Sequence, residues 1–209
     1  MIKICIADNQ PVVLLGIMSY FKDNPKIDVP LKATSFEELN ILLNTHKADI
    51  IILDLELSGV LSIKDIKKLV AQNPDSKIIL YTTVPEKMYA SNAIKAGVYA
   101  YVEKTTSLHE LERIIVKVNN GEKVYSEEVK KKIDLLSKGN KTDRLHKKLS
   151  TREIEVLRYL NDGKKNKEIA QILGLDEKTI STYKLRLLAK LSVSNLIDLL
   201  AKAKTLDII

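Results

Sequence analysis

Over its first 120 residues the sequence repeatedly changes hydrophobic period, and this alternation constrains the fold more than any other feature. Short apolar runs stand at 2–7 (IKICIA), 29–34 (VPLKAT), 49–54 (DIIILD), 77–82 (KIILYT) and 100–104 (AYVEK). Helical patterns fill the intervals at 11–22, 36–45, 62–72, 86–96 and 107–119. In 62–72, Ile63, Ile66, Leu69 and Val70 share one face, and in 107–119 Leu108, Leu111, Ile114, Ile115 and Val118 do the same. Five strands alternating with five helices predict an α/β class: a (βα)5 doubly wound parallel sheet with helices on both faces. The unbroken apolar run 50–53 suits its buried centre. Functional groups in such a sheet gather beyond the carboxyl ends of the strands.

The alternation stops near residue 120. Residues 121–147 are lysine-rich and read as a linker with a helix over about 126–137 and a flexible stretch SKGNKTD. From 148 to 209 every pattern is helical, which predicts a second, all-α domain. Its first helix opens at Ser150 or Thr151, with Glu153 in capping-box spacing and a stripe of Ile154, Val156, Leu157 and Leu160. A short helix, KEIAQILGL, ends at Gly174; a third is capped by Asp176; SNLIDLLAKAK forms a fourth. This is helix-turn-helix spacing.

Charge divides at the same place. Residues 1–120 hold 14 Lys/Arg against 14 Asp/Glu, whereas 121–209 hold 20 against 13, so the whole excess of +7 lies in the second part. A neutral module joined to a basic one suggests a polyanionic partner. No apolar run is long enough to cross a bilayer and the amino terminus lacks a signal pattern, so no membrane role and a cytoplasmic location are expected. The single cysteine, Cys5, reads as a buried thiol, and His46, His109 and His146 show no metal-ligand spacing.

The strand ends carry chemistry. Asp8 ends the first strand, Asp54 the third, Thr82 the fourth and Lys104 the fifth. Each alone needs no more explanation than the start of a turn. Together they suit phosphoryl transfer to a carboxylate, with Asp54 as nucleophile, Asp8 on a divalent cation such as Mg²⁺, and Thr82 and Lys104 on phosphoryl oxygens. That reading requires the Asp54 carboxylate to face the Lys104 ammonium and to be reachable from solvent.

IADNQP, IIILDLELSG, IILYTT and GVYAYVEKTTS resemble the receiver domain of two-component response regulators over residues 1 to about 120. The resemblance implies that Asp54 accepts phosphate from a sensor histidine kinase, and that Tyr101 moves with Thr82 on activation. Two departures stand out: the usual acid pair is Asp8–Asn9, and Ser58 stands where proline is usual. An amide oxygen can ligate Mg²⁺ but brings no charge, so weak binding is expected, with Glu56 as a candidate extra carboxylate.

In the third helix of the second domain, Ile180, Leu187, Leu188 and Leu191 would pack inward. Lys178, Thr179, Ser181, Thr182, Tyr183, Lys184, Leu185 and Arg186 are candidates for contact with DNA, joined by Lys164, Lys165, Asn166 and Lys167 before the second helix. A bundle with a solvated basic face is the plainer alternative. LSTREIEVL, NKEIAQ, KTISTYK and KLSV, in that order, are similar to the LuxR-type DNA-binding domain, and the whole chain resembles the NarL/FixJ response regulators. The STYKLRLLAKL portion is similar to the family's fimbrial and virulence regulators. The resemblance implies a homodimer on paired half-sites of double-stranded DNA, with Leu196, Ile197, Leu199 and Leu200 of the last helix at the dimer contact. Those four equally suit a bundle core. Two functions stay open: a transcription factor switched by phosphate, or a phosphate-independent regulator with an atypical receiver. No Gly-rich phosphate loop marks a nucleotide enzyme; self-phosphorylation and slow self-dephosphorylation at Asp54 are the most catalysis expected.

Overall fold

The register between β1 and β2 shifts around one residue. Pro30 has no N–H to donate, and the parallel ladder skips it: Lys3 pairs with Asp28 and the next pair is Cys5 with Leu31. An edge strand tolerates such a bulge, and β2 is at the edge of a five-stranded sheet of order β2-β1-β3-β4-β5, parallel throughout. The computed structural model describes residues 1–60, 63–131, 149–191, 193–206 and 208–209. They divide into two compact units, Met1–Ser126 and Glu127–Ile209.

The first unit runs β1 (Ile2–Ala7), α1 (Pro11–Phe21), β2 (Ile27–Ala33), α2 (Phe36–Thr45), β3 (Ile50–Leu53), α3 (Ile63–Gln72), β4 (Lys77–Thr82), α4 (Glu86–Ala96), β5 (Ala100–Glu103) and α5 (Leu108–Asn119). All four residues of β3 are buried, as a central strand covered on both faces must be. Ile4, Ile6, Ile50, Ile52, Ile79 and Tyr81 join Leu14, Ile17 and Phe21 of α1 and Leu111, Ile115 and Val118 of α5 in one core. Their alternates Cys5, Ile51, Leu53, Ile78 and Leu80 are buried too, with Leu39, Ile66 and Leu69 from α2 and α3. Cys5 is fully buried, and desolvation, with the charge of Glu38 second, pushes its thiol pKa up to about 12.

Local chemistry sets the helix ends. Pro11 occupies the first turn of α1, where a missing N–H costs nothing. Ser35 and Ser107 cap α2 and α5 by accepting from Glu38 N and Glu110 N. Gly97 closes α4 at φ 97°, and a Cβ there would lie 3.0 Å from Val70 Cγ1. Gly97→Ala is therefore expected to destabilise the unit by about 1–2 kcal/mol from left-handed strain plus the clash. Urea denaturation checks it, and an unchanged midpoint refutes the argument. Beyond α5 the chain returns along β5: Val124 bridges to Ala100 in parallel, Val124 N donates to Tyr99 O at 2.8 Å, and the Tyr125 hydroxyl donates to Val98 O. This segment covers the edge that β5 would otherwise expose.

In the second unit residues 127–131 are helical, and the rest of the helix expected to 137, with the SKGNKTD stretch, lies outside the described residues. Then follow α6 (Thr151–Asn161), α7 (Asn166–Leu173), α8 (Glu177–Leu191) and α9 (Leu196–Thr205). The capping box of Ser150 and Glu153 forms, and Gly174 ends α7 at φ 62°. Val156, Leu157, Ile169, Leu173, Ile180, Leu187 and Leu191 make this unit's own core. Among the described residues no helix is long and apolar enough to cross a membrane.

Candidate functional site

Strand register brings the acids together. Ala7 pairs with Leu53, so Asp8 and Asp54 follow each other on adjacent strands, and Asp54 N donates to Ala7 O at 3.0 Å. Beside them Lys104 N donates to Thr82 O at 2.9 Å, tying the ends of β4 and β5. From there the Lys104 ammonium reaches both carboxylates, 2.7 Å to Asp8 Oδ2 and 2.9 Å to Asp54 Oδ2. The remaining oxygens are held by the main chain: Gln10 N donates to Asp8 Oδ1 at 2.8 Å and Glu56 N to Asp54 Oδ1 at 3.1 Å. Each is an Asx-type turn in which an acid fixes the loop that follows it. These two amides escaped sequence reasoning, although the i+2 position after each acid was the place to look.

Burial sharpens the electrostatics. Desolvation raises the Asp8 pKa, with the Asp54 charge adding to it and hydrogen bonds from Lys104 and Gln10 opposing it. For Lys104 desolvation lowers the pKa, but the hydrogen bonds to Asp8 and Asp54 outweigh it and the net shift is upward. One half of the requirement on Asp54 is met, since it faces Lys104. The other is not: the side chain is 1% exposed, and that of its partner Lys104 is 9% exposed.

Thr82 is fully buried, and its Oγ1 accepts from Val84 N at 3.3 Å. The Tyr101 hydroxyl donates to Val84 O at 2.9 Å, so Tyr101 is already turned inward. Val84 is thus gripped on its N–H by Thr82 and on its carbonyl by Tyr101. Glu56 has partners on neighbouring loops. Its carboxylate accepts from Thr83 Oγ1 at 2.6 Å, and its main-chain carbonyl accepts from Asn9 Nδ2 at 3.3 Å. No group of three or more His, Cys, Asp or Glu suited to a metal occurs among the described residues.

On the second unit, Lys165, Lys167, Lys178, Thr182, Leu185 and Arg186 are exposed, while Lys164, Asn166, Thr179, Ser181, Tyr183 and Lys184 are half-buried. Asn166 Nδ2 donates to Ser181 Oγ at 3.2 Å and ties the start of α7 to α8. Asp176 caps α8, its carboxylate accepting from Thr179 N and Thr179 Oγ1 at 2.8 Å each. Tyr183 packs against the core with Arg186 5.9 Å above its ring. Of the four leucine and isoleucine candidates on α9, Leu199 is fully buried in the unit's core. Leu196 and Leu200 pack against that core, and Ile197 is 80% exposed. A helix in a small bundle must place one residue per turn inward, and Leu199 takes that place.

With these geometries in hand, comparison with known proteins gives two family matches. Residues 4–116 match the response regulator receiver domain, and residues 147–203 match the bacterial regulatory proteins of the luxR family. The transcriptional regulatory protein DesR of Bacillus subtilis is 33% identical, the alignment covering 98% of this chain and 97% of that one. The fimbriae Z protein of Salmonella typhimurium is 31% identical over 99% of this chain and 98% of its own. Among solved structures, RcsB of Salmonella enterica serovar Typhimurium bound to promoter P1flhDC with the phosphomimetic BeF3⁻ matches at TM-score 0.73 and 28% identity, covering 98% of each chain.

Proposed function

The chain belongs to the response regulators that join a receiver to a LuxR-type DNA-binding domain, and from that premise we propose that phosphoryl transfer from a sensor histidine kinase to Asp54 controls its binding, as a dimer, to paired sites on double-stranded DNA. The observation that carries this reading is the Lys104 ammonium held between Asp8 and Asp54 at 2.7 and 2.9 Å. It supports the reading by joining the groups that would serve as nucleophile, cation ligand and phosphoryl-binding cation.

Two carboxylates against one ammonium leave a negative charge in excess, and that donor chemistry fits a hard cation. Asp8, Asp54 and the Asn9 amide would hold Mg²⁺, whose charge offsets that of the phosphoryl oxygens. Asn9 brings no charge, which weakens the binding. Lys104 is displaced from the carboxylates when a phosphoryl donor enters, and its flexible stem lets the ammonium follow the phosphoryl oxygens. Thr82, turning its hydroxyl to the same oxygens, releases Val84 N–H, and Val84 is the group that Tyr101 holds. The switch therefore passes from phosphate to Thr82, to Val84, to Tyr101.

The DNA-binding function lies with α8 and the lysines before α7, by side chains on phosphates and base edges. The RcsB relatives include complexes with promoter DNA, which supports this assignment. In a dimer through α9, Ile197 is the residue available for contact.

The test is a small-molecule phosphodonor with Mg²⁺, followed by intact-mass measurement and DNA binding at stated salt. Wild type is expected to gain one phosphoryl group and to bind DNA more or less tightly as a result, whereas Asp54→Asn gains none and does not respond. The second reading, a receiver that works without phosphate, draws on Asn9 and the 1% exposure of Asp54. No mass gain on wild type leaves that reading standing alone.

A further inference from the structure

The centre of the surface that α8 offers to DNA is apolar. At about 100° of turn per residue, Ile180, Leu187 and Leu191 fall on one side of the helix, and Lys178, Thr182, Leu185 and Ala189 fall opposite. Burial follows that division: the first three are at most 1% exposed and the other four are exposed, Leu185 to 67%. Thr182 Oγ1 donates to Lys178 O at 2.9 Å, so its proton is engaged within the helix and its γ-methyl is left for a partner. Leu185, one turn on from that methyl, falls about 140° around the helix from the core side, on the same outer face as Lys178.

A phosphate offers nothing to an isobutyl group. In the major groove the one apolar feature is the C5-methyl of thymine. We infer that Leu185, assisted by the Thr182 methyl, reads a thymine methyl, and that each half-site therefore carries an A·T pair at one fixed position. The inference rests on the DNA-binding reading above and deepens it, assigning one step of sequence specificity to one side chain. The lysines and Arg186 then supply affinity without sequence preference.

The test uses the full chain and a duplex selected by wild type from a random pool. Each thymine is replaced in turn by deoxyuridine, which removes the methyl and keeps the base pairing. Wild type is expected to lose about fourfold in affinity at one thymine per half-site, the worth of one buried methyl. Leu185→Ala is expected to bind thymine and deoxyuridine equally there, and Leu185→Met to restore the preference. Leu185 is exposed, so neither change threatens folding. Selected half-sites with no fixed thymine, or a Leu185→Ala variant that keeps the wild-type methyl preference, would overturn the inference while leaving DNA binding intact. Failure of wild type to select any duplex would overturn the DNA-binding reading, and this inference with it.

Discussion

Lys104→Met is expected to lower the stability of the receiver at neutral pH by about 3 kcal/mol and, at the same time, to tighten its grip on divalent cations. Removing one partner of a buried ion pair costs about 3–5 kcal/mol because the remaining charge stays desolvated. Here two carboxylates, 2% and 1% exposed, lose their shared counter-charge. The lower end of the range applies because Asp8, whose pKa is already raised by desolvation, takes up a proton in the variant. The sign of the pH dependence follows: a folded state that binds the extra proton loses stability as pH rises, so the penalty is smaller at about pH 5 than at about pH 8. In the wild type the opposite group governs. Lys104 is raised above its ordinary 10.5, so its contribution is complete below that value and is lost as pH climbs through the shifted one. Mg²⁺ and the ammonium compete for the same oxygens, so the rise in Tm on adding Mg²⁺ should be larger in Lys104→Met. An equal rise in both proteins means that the ammonium does not contest the cation position.

The second large effect is expected from Glu153→Gln in the second unit. Glu153 is buried; it accepts from Ser150 N at 2.6 Å and from Lys190 Nζ at 2.7 Å. One carboxylate thus caps α6 and fastens the last turn of α8, the helix proposed above to enter the groove. Desolvation pushes its pKa up, but the hydrogen bonds from Lys190 and Ser150 prevail and hold it below 4.5. Its stabilisation is therefore present above that value and is lost as pH falls through the depressed one. Glutamine keeps the shape and loses the charge. A loss of about 2–3 kcal/mol is expected, below the full penalty for a broken buried pair because Lys190 is about a third exposed and water screens it. Hydrogen exchange of the α8 amides, compared between wild type and variant, measures this directly; unchanged protection would show that Glu153 is only a local cap.

How much of this could be seen without coordinates differs from residue to residue. The order and number of elements, the cap at Ser150 and the Gly174 corner follow from periodicity and from residues whose preferences are local. The gathering of Asp8, Asp54, Thr82 and Lys104 was legible because strand ends in a parallel sheet face one edge. The hydrogen bond from Thr83 Oγ1 to Glu56 was not, since a carboxylate two residues past Asp54 can turn to several neighbours and packing sets where Thr83 stands. Leu199 was equally ambiguous: an apolar residue on the last helix fits a core or a partner until the packing of α9 is known.

The sequence by itself determined the elements and the residue types at their ends, because hydrogen-bond capping and hydrophobic period act over a few residues. Only the tertiary structure decided which polar groups share a proton, a charge or a carbonyl: that one ammonium spans two acids, that Val84 links Thr82 to Tyr101, and that Leu185 is left facing outward. Those outcomes depend on distances between residues remote in the chain, which packing sets and no local preference encodes.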